Sequence, residues 1–164
     1  MNRKVLIPVM ALLVLFVVAP AMAAPAAKIK YTADVSLVII SPGEEWTTEG
    51  GILHVKGLIA NGTFVSSLGI SGVMLKKLDF TLNTITGKGT MNGKFVLTVG
   101  EVGTFEGSFR DKITQFNHYS GTVVGQGTGG FAGLKTMGTW EGEKDGNAIV
   151  NVLDAIILSP KGPL

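Results

Sequence analysis

From about residue 29 onward the chain alternates apolar and polar residues with a period of two. In Thr104–Thr114 the residues Thr104, Glu106, Ser108, Arg110, Lys112 and Thr114 are polar, while Phe105, Phe109 and Ile113 fall between them. Successive side chains of a strand point to opposite faces, so this run is a strand with one wet face and one buried face. Leu78, Phe80 and Leu82 alternate in the same way with Lys77, Asp79, Thr81 and Asn83, as do Met91, Phe95, Leu97 and Val99 with Thr90, Asn92 and Lys94. The pattern predicts strands over 29–40, 46–59, 63–66, 71–86, 88–99, 102–116, 119–126, 135–144 and 147–158. Turns are expected at Pro42-Gly43, Asn61-Gly62, Gly87 and Asp145-Gly146, the last as a tight two-residue hairpin. The segment Ile59–Val73 is apolar and broken by glycine, and fits either a strand pair or a loop crossing a barrel mouth. No sustained helical period is present, and Thr128–Leu134 has room for one short turn. The chain reads as all-β.

A second regularity sharpens that reading. The pattern G-T-x-x-G recurs at Gly89–Gly93, Gly103–Gly107, Gly121–Gly125 and Gly138–Gly142. In each copy both glycines share a face with the central apolar residue, and the threonine takes the other. Glycine weakens a flat strand by roughly 0.5–1 kcal/mol relative to alanine, so paired glycines on the apolar face need a reason. Closing a small barrel supplies one: the strands must coil, and large neighbours such as Met91, Phe105, Phe109 and Trp140 need space to fill the interior. A small closed antiparallel β-barrel of eight or nine strands is expected. The competing use of glycine, a phosphate cradle at Gly125–Gly130, requires a following helix whose amino terminus faces the phosphate; a strand follows instead, and no lysine holds the Walker position.

The run Gly125-Gln126-Gly127-Thr128-Gly129-Gly130-Phe131-Ala132-Gly133-Leu134-Lys135, ending in Gly138, resembles the G-x-G-x-F-x-G-L-x-x-x-G segment of the allene oxide cyclase and dirigent-like superfamily. Many exported bacterial and archaeal proteins are similar there. The resemblance implies an eight-stranded antiparallel barrel and carries no activity, because these glycines serve shape rather than chemistry.

The amino terminus adds a destination. Arg3 and Lys4 precede an apolar run, Val5–Val18, followed by Pro20 and Ala21-Met22-Ala23-Ala24, which is the order of a cleavable signal peptide. The run is short of the roughly 20 residues that cross a bilayer, and no second run of that length follows, so no membrane span is expected after cleavage. The expected organisation is a leader over 1–23 and one barrel domain over 24–164, secreted or periplasmic. Without Arg3 and Lys4 the 14 basic residues become 12 against 12 acidic ones, and nucleic acid drops out as a partner. The absence of cysteine excludes disulfides, thiolate metal sites and a thiol nucleophile.

Inward polar residues are the clue to function in such a barrel, because burying them is costly unless something satisfies them. Asp111 is in phase with Phe105, Phe109 and Ile113; a β-bulge turning it outward, or a place at the strand rim, is the simpler reading. In the last strand either Asn151 shares the inner face with Ile149, Leu153, Ala155 and Ile157, or Asp154 shares it with Val150, Val152, Ile156 and Leu158. Asp111 with Asn151 or Asp154, joined by Tyr119 or His118, forms the candidate interior cluster, and Trp140 is a candidate for its lining. His54 and His118 are far apart and lack metal-binding spacing, no serine sits in a nucleophile elbow, and no metal or other cofactor is expected. Asn61-Gly62-Thr63 is a glycosylation sequon that reads more simply as a turn, and Glu44, Glu45 and Glu49 around Trp46 read as a solvated hairpin rim. The expected role is a non-catalytic binding module for a small apolar ligand or a protein partner. The alternatives are an enzyme of the cyclase or isomerase kind, which needs an inward carboxylate or tyrosine with room beside it, and an outer-membrane barrel. Too few aromatics for two girdles and no terminal aromatic argue against the last.

Overall fold

The computed structural model describes residues 26–160; the expected leader and cleavage site lie outside them. Nine antiparallel strands run among the described residues: β1 (Ala27–Ser41), β2 (Glu44–Thr48), β3 (Ile52–Ser66), β4 (Ser71–Asn83), β5 (Gly89–Val99), β6 (Gly103–Ile113), β7 (His118–Gly127), β8 (Lys135–Asp145) and β9 (Ala148–Ser159). Their order in the sheet is β1-β9-β8-β7-β6-β5-β4-β3-β2, and pairing of β1 with β3 closes eight of them into a barrel. Closure removes the free sheet edges that a flat meander would leave.

β2 is the strand outside that count, and its place follows from how β3 divides its edge. The first part of β3, Ile52–Lys56, pairs with β2, while Ile59–Ser66 pairs with β1. The exchange of partners coincides with a bulge in β3 at Gly57, whose φ of 74° suits glycine and whose N–H donates to Asp79 Oδ1 at 2.7 Å. The chain passes from β1 to β2 at Pro42-Gly43, where Gly43 has a φ of 77°.

Three sequence expectations are corrected here. The strand expected over 46–59 is broken by a turn at Glu49-Gly50-Gly51, and 52–66 is one continuous strand. Asn61-Gly62 is therefore no turn: Asn61 pairs with Val38 on one side and Leu75 on the other, and Gly62 with Leu37 and Met74. Lacking a Cβ, Gly62 lets the β1 backbone at Ser36–Leu37 come closer than a side chain would permit. The weakly alternating stretch resolves into the end of β3, a turn over Ser67–Ile70 and the start of β4. The turn at Gly87 stands where expected, and Gly129–Phe131 is a single 3-10 turn, whereas the hairpin expected at Asp145-Gly146 is shifted by one residue: Asp145 still pairs with Ala148, and Gly146-Asn147 is the two-residue loop.

The glycines of the repeat sit beside large inward side chains. A Cβ on Gly107 would lie 2.6 Å from the Phe95 ring, and one on Gly93 would lie 2.7 Å from Phe109 Cζ. The interior packs Val35, Leu37, Phe64, Met74, Phe95, Phe105, Phe109, Trp140 and Leu153 in this space. One end of the barrel is filled: Leu134 is buried there, Phe131 stacks on Phe105 at 4.9 Å between ring centres, and only about 30 Å³ stays empty. The opposite end is hollow. Outside, one pairing register around seven strands reads Asp79, Asn92, Arg110, Thr122, Thr139, Asp154 and Thr32, all exposed.

Candidate functional site

The hollow end holds a cavity of about 380 Å³. Its wall is mostly apolar, with Ile39, Leu53, Leu58, Phe80, Leu82 and Ile149 among the lining residues; the exposed Glu45, Asn117 and Asn147 and the half-buried Lys144 also line it, as do the buried Lys76 and Tyr119. These two polar side chains belong to a buried cluster that crosses the barrel at mid-height.

The pairing registers explain how residues from separate strands meet. Asp111 on β6, Gly121 on β7 and Trp140 on β8 lie side by side in one row. A Cβ on Gly121 would run into the Asp111 carboxylate, so the bare glycine lets Asp111 reach across β7, where its Oδ1 accepts a 2.8 Å bond from Trp140 Nε1. The neighbouring row repeats the device. Tyr119 on β7, Gly142 on β8 and Asn151 on β9 are consecutive partners, the phenol ring lies over Gly142, and Asn151 Nδ2 donates to the Tyr119 hydroxyl at 2.7 Å. Asn151 Oδ1 in turn accepts from Lys76 Nζ, which crosses from β4, at 2.6 Å. The Lys76 amine also sits 3.5 Å over the Trp140 ring and 5.2 Å from the centre of Phe109. Trp140 thus joins the halves of the cluster, with the amine on its face and the carboxylate at its N–H.

Burial sets the protonation chemistry. An ammonium brings three donors, yet Lys76 has one hydrogen-bond acceptor among the described residues. Desolvation lowers the Lys76 pKa to about 7, opposed by the nearby charge of Asp111. Desolvation likewise raises the Asp111 pKa to about 6, opposed first by the Trp140 hydrogen bond and then by Lys76. The second carboxylate oxygen, Oδ2, is buried without a partner among the described residues. Tyr119 is pushed up by burial and by Asp111, so its phenol stays protonated. Since that oxygen accepts from Asn151, its own proton is free to be donated into the cavity.

Of the candidates read from the sequence, Asp111, Tyr119, Asn151 and Trp140 come together here. Asp111 faces inward in an unbroken ladder between Met91 and Gly121, so neither bulge nor rim displaces it. His118 is corrected to the outer rim: Tyr119 takes the inward position, and His118 Nε2 meets Glu143 Oε1 at 2.6 Å in solvent. Asp154 is corrected to the outer wall, because β9 buries the Asn151 phase and exposes the Asp154 phase. Lys76 escaped the sequence reading although its signal was present. It is in phase with Leu78, Phe80 and Leu82, whereas its neighbour Lys77 is outward, and the doublet disguises an inward charge as an ordinary wet face. Trp46 and His54 stack at 5.1 Å on the β2–β3 ribbon, away from the cluster, and no group of three or more His, Cys, Asp or Glu able to hold a metal occurs among the described residues.

The chain matches no protein-family model, and a search of curated proteins likewise returns no match.

Proposed function

We propose that the protein is an exported binding barrel whose open end takes a small apolar ligand, with Lys76 and Tyr119 meeting a polar group at the ligand's buried end. The supporting observation is the cavity itself: about 380 Å³ of space, walled mostly by aliphatic and aromatic side chains, with Lys76 and Tyr119 as the buried polar groups of its lining. An apolar body gains by leaving water against such a wall, at about 25 cal/mol per Å² of apolar surface removed. The polar pair then fixes which way the ligand enters. Export rests on the charge, apolar run and small-residue order at the amino terminus. The outer row from Asp79 to Thr32 argues for a water-facing wall, since a membrane barrel carries its apolar band outside and its polar residues within.

A fluorescent apolar probe, N-phenyl-1-naphthylamine, tests this reading by titration into the purified mature protein. Saturable binding of one probe per chain, displaced by decanol and decanoic acid, is the expected outcome. Linear, unsaturated fluorescence at every concentration overturns it.

The enzymatic reading keeps one specific support. A cyclase or isomerase needs an inward tyrosine or carboxylate with room beside it, and Tyr119 lines the cavity, whereas the Asp111 carboxylate is bonded to Trp140 and is not among the lining residues.

A further inference from the structure

The cluster contains more than a binding site for an apolar molecule requires. A ligand's hydroxyl or carboxylate is met adequately by a tyrosine or an asparagine, whereas a fully buried lysine is costly to hold and places a nucleophile at the bottom of the cavity. Asn151 positions that amine: its amide oxygen holds Lys76 Nζ at 2.6 Å and its amide nitrogen holds the Tyr119 oxygen at 2.7 Å. One planar amide therefore sets a nucleophilic nitrogen and a phenolic O–H side by side, both on the cavity lining.

We propose that Lys76 forms a Schiff base with an apolar aldehyde or ketone bound in the open end of the barrel, Tyr119 serving as the proton donor to the carbonyl oxygen. The inference rests on the ligand-binding reading above and names the functional group that the site takes. The Nζ lone pair attacks the carbonyl carbon while the Tyr119 phenol gives its proton to the carbonyl oxygen, and a proton from nitrogen returns to the phenolate. The resulting carbinolamine then loses its hydroxyl group together with the remaining nitrogen proton as water, leaving the C=N bond. One amine and one carbonyl become one imine and one water, with no oxidant or reductant.

The surroundings favour this chemistry over simple salt formation. Only the neutral amine attacks, and with its pKa lowered to about 7 by burial, about half of Lys76 is neutral near pH 7. That is roughly a thousandfold larger neutral share than an ordinary exposed lysine has. The titratable side chains nearest the amine are Asp111 on β6 and Tyr119 on β7, and Glu45 on β2 and Lys144 on β8 line the same cavity; β8 and β9 present Trp140 and Asn151, and β5 and β6 present Phe95 and Phe109. Asp111 is thus placed, through Trp140, as the counter-charge to a protonated imine. The apolar wall restricts bulk water, the reagent that would hydrolyse the adduct.

Decanal provides the test. Purified protein is incubated with decanal near pH 7, the imine is reduced with cyanoborohydride, and the adduct is counted by intact mass and located by peptide mapping. One alkyl group on Lys76, formed at least about tenfold faster than on Lys144, which lines the same cavity, or on any exposed lysine, is the expected result given the larger neutral share. Lys76→Met and Lys76→Arg should lose that adduct, and Asp111→Asn should move the pH midpoint of labelling downward. The wild-type mapping does not depend on any variant folding. Labelling spread evenly over exposed lysines, with Lys76 unmodified, overturns the inference. If the naphthylamine probe and decanol still bind in that case, the binding reading survives alone; if neither binds, both fail.

Discussion

Among the described residues, the Lys76 ammonium finds one of the three acceptors it can use, and one Asp111 oxygen finds no partner. Each therefore prefers its neutral form in the folded protein. For Lys76 the folded value is about 7 against an ordinary 10.5, so between those limits the unfolded chain binds more protons and stability rises with pH. For Asp111 the folded value is about 6 against 3.8, so in that window the folded protein binds more protons and stability falls as pH rises. The two contributions together are least favourable between pH 6 and 7, where both charges stand buried. Thermal melts of wild type and Lys76→Met check the first half of this statement. The wild-type Tm should gain on that of the variant from about pH 7 to about pH 10, because the variant has no buried amine to deprotonate. A difference that stays flat over that range contradicts the protonation assignment.

At the scale of the element, the glycine repeat does more than curve the strands. Gly121 and Gly142 each lie between two residues of the cluster, and the bare backbone lets Asp111 reach Trp140 and Tyr119 reach Asn151 across an intervening strand. Gly93 and Gly107 accommodate Phe109 and Phe95 in the same way, without polar consequence. Substituting Gly107→Ala places a methyl against the Phe95 ring and the Val124 carbonyl, and the rigid backbone on one side prevents a cheap adjustment. Overpacking of this kind costs about 1–3 kcal/mol, read as a lower urea midpoint with little change in slope. A midpoint equal to wild type would show that the ring moves aside freely.

For the molecule as a whole, the asymmetry between the ends decides what it can hold. The end closed by Leu134 and Phe131 supports the polar layer from below, and the hollow end leaves that layer facing space. Leu82 lines the hollow end from β4, opposite Leu53 and Gly89 in the pairing. Leu82→Trp should occupy part of the cavity, weakening naphthylamine binding at least about tenfold, equivalent to about 1.4 kcal/mol. Its Tm should stay at or above the wild-type value, since the added ring fills existing space rather than a packed core. Unchanged affinity in this variant would move the binding site elsewhere.

Period two determined which face of most strands is wet, because a strand has only two faces and water sorts them; it put Trp140 and Asp111 in phase with the apolar face, although a bulge or the rim was the simpler reading of Asp111, and it left Tyr119 and His118 as alternatives. Paired glycines on the apolar face determined that the sheet must curve and close. The sequence left β9 with two equivalent phases, Asn151 in or Asp154 in, since both are flanked by aliphatic residues. Pairing with β1 and β8 selected the first. It also left Asn61-Gly62 indistinguishable from a turn, because glycine serves a turn and a close approach of backbones equally well. Only the closed barrel brought Lys76 to Asn151, 75 residues further along the chain, and left one end empty. Contacts across a barrel depend on register and tilt summed over every strand between, and no local stretch of residues contains that sum.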